Sequence, residues 1–135
     1  MKKDIPLYKV ENLAVAIVPP LLERERDGLW DTYLINLKDN PIANILISSR
    51  GYGELEGEDR KTTVLRHFFE EIDGKSFVQI EPIHSNLFDL TNEYWVSFVQ
   101  DEFMFEKKYI FVRGSIDASN FTQIPFLDRQ GVMII

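Results

Sequence analysis

The two histidines, His67 and His84, are the only side chains whose ordinary pKa lies near neutrality, so acid–base chemistry at neutral pH would start from them. His67 stands between Arg66 and Phe68 and could pair with Glu70 or Glu71. One histidine makes neither a metal site nor a triad, and no G-x-S-x-G elbow supplies a serine nucleophile. Glu70 and Glu71 point to opposite faces if they lie in a strand, so they cannot share a proton as a catalytic dyad would. Arg50-Gly51-Tyr52-Gly53 has glycines that permit close approach to a phosphate. A P-loop, however, needs G-x-x-x-x-G-K-[ST] opening a helix; here strand residues precede and acids follow, which reads as a β-turn or bulge. Glu54, Glu56, Glu58 and Asp59 offer oxygens for Ca²⁺ but lack EF-hand spacing, and Arg60 and Lys61 neutralise the end of the cluster. A solvated loop accounts for them. Catalysis needs titratable groups that converge in a pocket, and the sequence nominates no catalytic, cofactor-binding or metal-binding residue.

Composition narrows the classes further. The chain has no cysteine, which excludes a disulfide framework, a thiolate metal site and a cysteine nucleophile, and fits a reducing compartment. A net charge of −7 argues against nucleic acid, whose binding rests on Lys/Arg stripes, and against anionic membrane surfaces. The N-terminus is basic, but its apolar run Leu13–Val18 is six residues long, too short for a signal peptide or a membrane span. A cytoplasmic location is the expectation. At 135 residues the chain suits one domain large enough to bury a core without staples.

The elements that must position these residues read as short β-branched and aromatic segments cut by turn residues. Leu13–Val18 is a first strand stopped by Pro19-Pro20. Leu21–Asp27 is the best helix candidate, with Gly28 as its stop. Asp31–Leu37 places Tyr33, Ile35 and Leu37 on one face, and the next strand places Ala43, Ile45 and Ile47 on one face. A turn at Lys38–Pro41 makes these two a hairpin. Arg50–Lys61 reads as a solvated loop or a frayed edge hairpin. Thr62–Glu71 and Ser76–Glu81 form a second pair around Asp73-Gly74, and Glu93–Val99 and Phe103–Arg113 a third around Gln100–Glu102. Beyond about Gly114 an irregular tail is expected. The whole predicts an all-β, mostly antiparallel sandwich of about seven to nine strands with one or two short helices.

Leu87–Phe98 (LFDLTNEYWVSF) resembles the E–F corner of fibronectin type III and immunoglobulin-like domains, where a leucine, a turn and an acid precede a tyrosine opening strand F. The resemblance implies that Tyr94 is a corner tyrosine whose hydroxyl satisfies a backbone group of the crossover. The strand C tryptophan of those domains is missing, and Trp30 precedes strand B instead, which leaves the topology open. Over nearly its full length the chain also resembles a family of short uncharacterised bacterial proteins sometimes labelled phenylalanyl-tRNA synthetase alpha subunit. Trp30–Asp39, Ile47–Gly53, Leu65–Ile72, Asn92–Phe98 and Gly131–Ile134 carry that likeness. A class II synthetase core needs a far longer sheet with helices and phosphate-clamping arginines, so the label implies no synthetase activity for a chain this short, acidic and poor in helix.

Three function classes follow. A noncatalytic interaction or structural module leads, with a protein partner or self-association expected. A binder of a small apolar ligand in an aromatic-lined cavity comes second, and an enzyme of unrecognised type third. The expected contact surface comes from parity. With Tyr94, Val96 and Phe98 inside, Trp95 and Val99 face out; choosing Ile110 and Val112 as inner residues sends Tyr109 and Phe111 out beside Trp95. Such a patch needs a cover, either a partner or Phe121, Ile124, Phe126 and Leu127 of the tail.

Overall fold

The computed structural model describes residues 9–22 and 27–135. Ten strands form two antiparallel five-stranded sheets, face to face and not closed into a barrel. They are β1 (Leu13–Val18), β2 (Leu29–Asn36), β3 (Ile42–Leu55), β4 (Glu58–Lys61), β5 (Leu65–Ile72), β6 (Ser76–His84), β7 (Thr91–Gln100), β8 (Phe103–Phe111), β9 (Thr122–Ile124) and β10 (Arg129–Ile134). The first sheet runs β6-β2-β1-β10-β9. In the second, β3 carries β5 and β4 on one side and β7 then β8 on the other. Short 3₁₀ turns lie at Ser85–Asp89 and Ala118–Asn120. The all-β sandwich therefore stands, with one strand more than the upper expectation. The expected helix Leu21–Asp27 falls mostly outside the described residues.

Alternation explains the first strand. Leu13, Val15 and Ile17 enter the core between the sheets, while Ala14, Ala16 and Val18 enter a second apolar cluster on the outer face of the first sheet. Every residue of β1 is buried, as a central strand of β-branched and small side chains permits. Pro19-Pro20 ends it as expected, because proline cannot donate to a ladder.

Two of the three expected hairpins do not form. β2 pairs with β1 and β6, and β3 with β4, β5 and β7, so the turn at Lys38–Pro41 carries the chain from one sheet to the other. The turn around Asp73-Gly74 likewise takes the chain from β5 on β3 to β6 on β2. A single buried amide ties these corners together. Asn36 Nδ2 donates to the carbonyls of Asn40 at 3.0 Å and Asp73 at 3.1 Å, and its Oδ1 accepts from the Lys38 N–H. Lys75 N–H adds a bond to the Lys38 carbonyl at 2.8 Å. The approach is so close that a Cβ on Gly74 would lie 2.1 Å from the Asp39 carbonyl oxygen, a position only glycine allows. The third hairpin, β7–β8, forms as expected.

Parity in β3 shifts at one residue. Asn44 adopts a positive φ of 51°, which asparagine tolerates, and the β3–β7 register breaks between Ala43 and Leu46. Ile42 therefore joins Ile45 and Ile47 in the core, while Ala43 is only half-buried. The region beyond Gly114 is not an irregular tail. It holds β9 and β10, and β10 lies against β1 with Ile17 opposite Val132.

Candidate contact face and inter-sheet cleft

Strand β7 presents two different surfaces. Tyr94, Val96 and Phe98 enter the core and Trp95 points out, 41% exposed. The expected companions of Trp95 are a correction: Tyr109 is fully buried and Phe111 is 1% exposed, while Ile110 and Val112 face solvent. The cause is register. Tyr94 lies opposite Tyr109 and Asn92 opposite Phe111, and directly opposed residues of an antiparallel pair share a face. Asp101 and Glu102, both with positive φ, make a two-residue loop that sets Gln100 opposite Phe103. Counting back from such a loop would have found the true parity.

The buried side of this hairpin locks the sheets together. The Tyr109 hydroxyl donates to the Leu13 carbonyl of β1 at 2.7 Å, and burial raises its pKa. Tyr94 packs edge-on against Phe111 with ring centroids 5.9 Å apart. Burial pushes its phenol up to about 12, and the facing Thr32 hydroxyl pulls weakly the other way. Thr32 Oγ1 is buried without a hydrogen bond of full geometry. The Tyr94 hydroxyl thus faces β2 rather than the crossover. The crossover is held instead by Asn92, whose amide donates to the Leu87 carbonyl at 2.9 Å and the Leu90 carbonyl at 3.2 Å. Asn92 opens the same strand two residues earlier, and an asparagine just after a turn is the signal that would have suggested it.

The outer face of the second sheet exposes Phe68 on β5, Leu46 on β3, Trp95 on β7, and Met104 and Ile110 on β8. Phe68 lies opposite Leu46, but that row continues through Ser97 to Glu106, and Trp95 lies in the next row between Ser48 and Lys108, so the apolar side chains are interleaved with polar ones. Charged groups punctuate this face. Arg50 holds Glu93 at 3.2 Å, and the Lys108 ammonium lies over the Trp95 ring, 4.6 Å from its centroid. Beside Trp95 is a hollow of about 180 Å³ lined by Leu46, Ser48, Ser97 and Glu106. Of the expected cover, Ile124 and Leu127 pack on the outer face of the first sheet, and Phe121 packs against Trp30.

A second concavity opens at the edge where β6 faces β5. Trp30 pairs with Ile83 but Thr32 with Ile80, so β6 carries one extra residue at Glu81-Pro82. A bulge is where a strand accommodates proline, and it re-aims neighbouring side chains. Glu81 meets His67 of β5, with Oε2 3.7 Å from Nε2, so the partner of His67 is neither Glu70 nor Glu71. The adjoining cleft, about 380 Å³, is lined by Leu29, Leu65, Pro82, Ile83, Leu87 and Tyr94 with Glu81 and His84 among its polar groups. His84 Nδ1 accepts from the Asn86 N–H at 3.1 Å, capping the 3₁₀ turn. The histidines thus serve different local contacts.

Arg50–Gly53 lies inside β3 rather than in a turn, and the Gly51 N–H donates to Thr62 Oγ1 at 2.8 Å. Glu54–Lys61 is the edge hairpin of β3 and β4, with Arg60 beside Glu58 at 3.3 Å. Among the described residues no group of three or more His, Asp or Glu side chains is gathered to hold a metal ion, and no helix is long and apolar enough to cross a membrane. No protein-family model, no curated protein and no solved structure matches the chain.

Proposed function

We propose that this protein is a noncatalytic sandwich module that acts by contact, through the outer face of its second sheet, with another protein or a second copy of itself. The observation that carries this is the exposed apolar set Phe68, Leu46, Trp95, Ile110 and Met104, on a sheet whose other face is buried. Several large apolar side chains gathered on one exposed sheet face point to an interface, and tryptophan is a favoured anchor within one. Acidity and the absence of cysteine support a cytoplasmic protein that binds neither nucleic acid nor anionic membrane.

Strand order supports an immunoglobulin-like reading. Taking β1, β2 and β6 as strands A, B and E, and β3, β5, β7 and β8 as C, C′, F and G, the order A-B-E in one sheet and C′-C-F-G in the other supports that reading, with β9–β10 added beside A and no strand in the place of D. The test is light scattering and native pull-down with wild type and Trp95→Asp. Association lost in a variant that stays folded supports the contact face; association unchanged by it overturns the proposal.

A second reading has its own observation. The cleft between β5 and β6 lies in the size range of small-molecule sites and is largely apolar, although of its lining residues just Tyr94 and His84 carry aromatic rings. An apolar fluorescent dye should bind there and be excluded by Leu65→Trp. Equal dye binding by the variant would remove the cleft as a site.

A further inference from the structure

The hollow beside Trp95 has a chemistry more specific than apolar contact. Its volume of about 180 Å³ is too small for most organic ligands and suits one long side chain. Its shape follows from register: Ser48 lies opposite Trp95, and Ser97 lies between Leu46 and Glu106. Two serines therefore stand among larger neighbours, and their hydroxyls offer acceptors. Leu46 and the indole supply apolar walls for an aliphatic stem. Glu106 supplies a carboxylate, and no cation of the described residues pairs with it, whereas the neighbouring Glu93 is already held by Arg50.

We propose that this hollow takes one arginine side chain from a basic segment of a partner protein, with its guanidinium on the Trp95 indole and against the Glu106 carboxylate. The inference rests on the contact-face reading above and names the partner's chemistry. Three observations favour a cation over an apolar anchor. The indole holds the Lys108 ammonium at 4.6 Å, so the ring already works as a cation platform. Burying Glu106 under an apolar group would strand its charge, whereas a guanidinium satisfies it with paired hydrogen bonds. The chain's net charge of −7 steers basic partners toward it. Arginine fits better than lysine because a planar guanidinium can stack on the ring and fork onto the carboxylate together. Lys108 is then a competitor, occupying the ring and adding a repelling charge.

The experiment follows the Trp95 indole N–H signal by NMR during titration with the blocked peptide Gly-Gly-Arg-Gly-Gly, and with analogues bearing lysine or norleucine in place of arginine. The arginine peptide should bind best and norleucine least. Glu106→Gln should weaken arginine binding about tenfold, the scale of one charge-assisted contact. Lys108→Met should strengthen it by a few-fold, an effect of opposite sign to the loss of any supporting residue. Norleucine binding as well as arginine, or weaker arginine binding in Lys108→Met, overturns the assignment. If Trp95→Asp still abolishes association in that case, the contact face stands and only the arginine falls. If Trp95→Asp leaves association unchanged, both fall.

Discussion

The outer faces of the two sheets solve the same problem in opposite ways. On the first sheet, Ala14, Ala16, Val18, Tyr33, Ile35 and Ile124 form a second buried cluster with Leu127 and Met133 against it. Its polar groups are internally satisfied: Arg129 pairs with Asp31 at 3.0 Å, donates to the Tyr33 hydroxyl at 3.1 Å and to the Pro19 carbonyl, and Gln79 donates to Asp31. Burial and the Asp31 charge raise the Tyr33 pKa while Arg129 opposes them. On the second sheet, side chains as large as Trp95 and Phe68 stay in water, and Glu106 makes no ion pair with another described residue. The first face is mostly covered by the chain's own strands, with Phe77 still 37% exposed beside Tyr33, while the second is open to water across β3, β7 and β8.

The largest expected effect tests that contrast through its ion pairs. The side chains of Arg129 and Asp31 are 18% and 8% exposed, so Arg129→Met takes the cation from a buried carboxylate that keeps its bond from Gln79 and should cost about 3 kcal/mol in urea unfolding. Arg50 is half exposed, but the Glu93 side chain beneath it is only 7% exposed, so Arg50→Met also uncovers a buried charge. It should cost less than Arg129→Met, about 1–2 kcal/mol, because it breaks one contact that water already screens on the arginine side. Equal costs would erase the distinction between the faces.

Alkaline pH probes the interior between them. A phenol whose folded pKa lies above its unfolded value of about 10 binds its proton more tightly in the native state. The stability it contributes is complete below about pH 10 and is lost as pH rises through the folded value. With Tyr94 pushed up to about 12, its share of the wild-type loss between those limits should be roughly 2–3 kcal/mol, added to the loss from buried Tyr109 and from Tyr33, followed by urea midpoints at each pH. Tyr94→Phe should make that decline shallower by its share. A decline as steep in the variant would assign it to other groups.

Smaller still is the difference between two buried hydroxyls. Tyr109→Phe leaves the Leu13 carbonyl without its 2.7 Å bond and should cost about 1–2 kcal/mol. Tyr94→Phe at neutral pH should cost less than about 1 kcal/mol, since the hydroxyl meets only Thr32. A larger loss for Tyr94 would restore it as the corner residue. Smallest of all, Trp95→Ala should stay within about 0.5 kcal/mol of wild type, as an outward side chain does. A loss of several kcal/mol would place Trp95 in the fold's own core and end its candidacy as a contact residue.

Much of the scaffold was legible in particular residues. Leu13–Val18 is a strand with the expected bounds, and Tyr94, Val96 and Phe98 face inward with Trp95 outward. The β7–β8 hairpin forms around the expected turn at Gln100–Glu102, with Asp101 and Glu102 as its loop. The contact face was half legible: Trp95 belongs to it, while Tyr109 and Phe111 do not. On β8 both parities are apolar, so hydrophobicity alone cannot choose a face, and a one-residue slip reverses every side chain. The cleft and the Arg129 network had no local signal. Arg129 and Tyr33 are 96 positions apart, and Glu81 reaches His67 only because β6 bulges at Pro82.

By itself the sequence determined the class of fold, because period-two alternation and turn residues are local properties that each segment carries alone. It also determined where strands stop, since Pro19-Pro20 acts through its own backbone. Tertiary structure decided which strands pair, because a turn such as Lys38–Pro41 serves a hairpin or a sheet-to-sheet corner equally well. The corner was chosen by Asn36 and Gly74, whose roles exist only once two distant turns meet. Tertiary structure also decided which apolar face is covered. That depends on where β9 and β10 dock, and docking is settled by the summed burial of a whole surface rather than by any one residue.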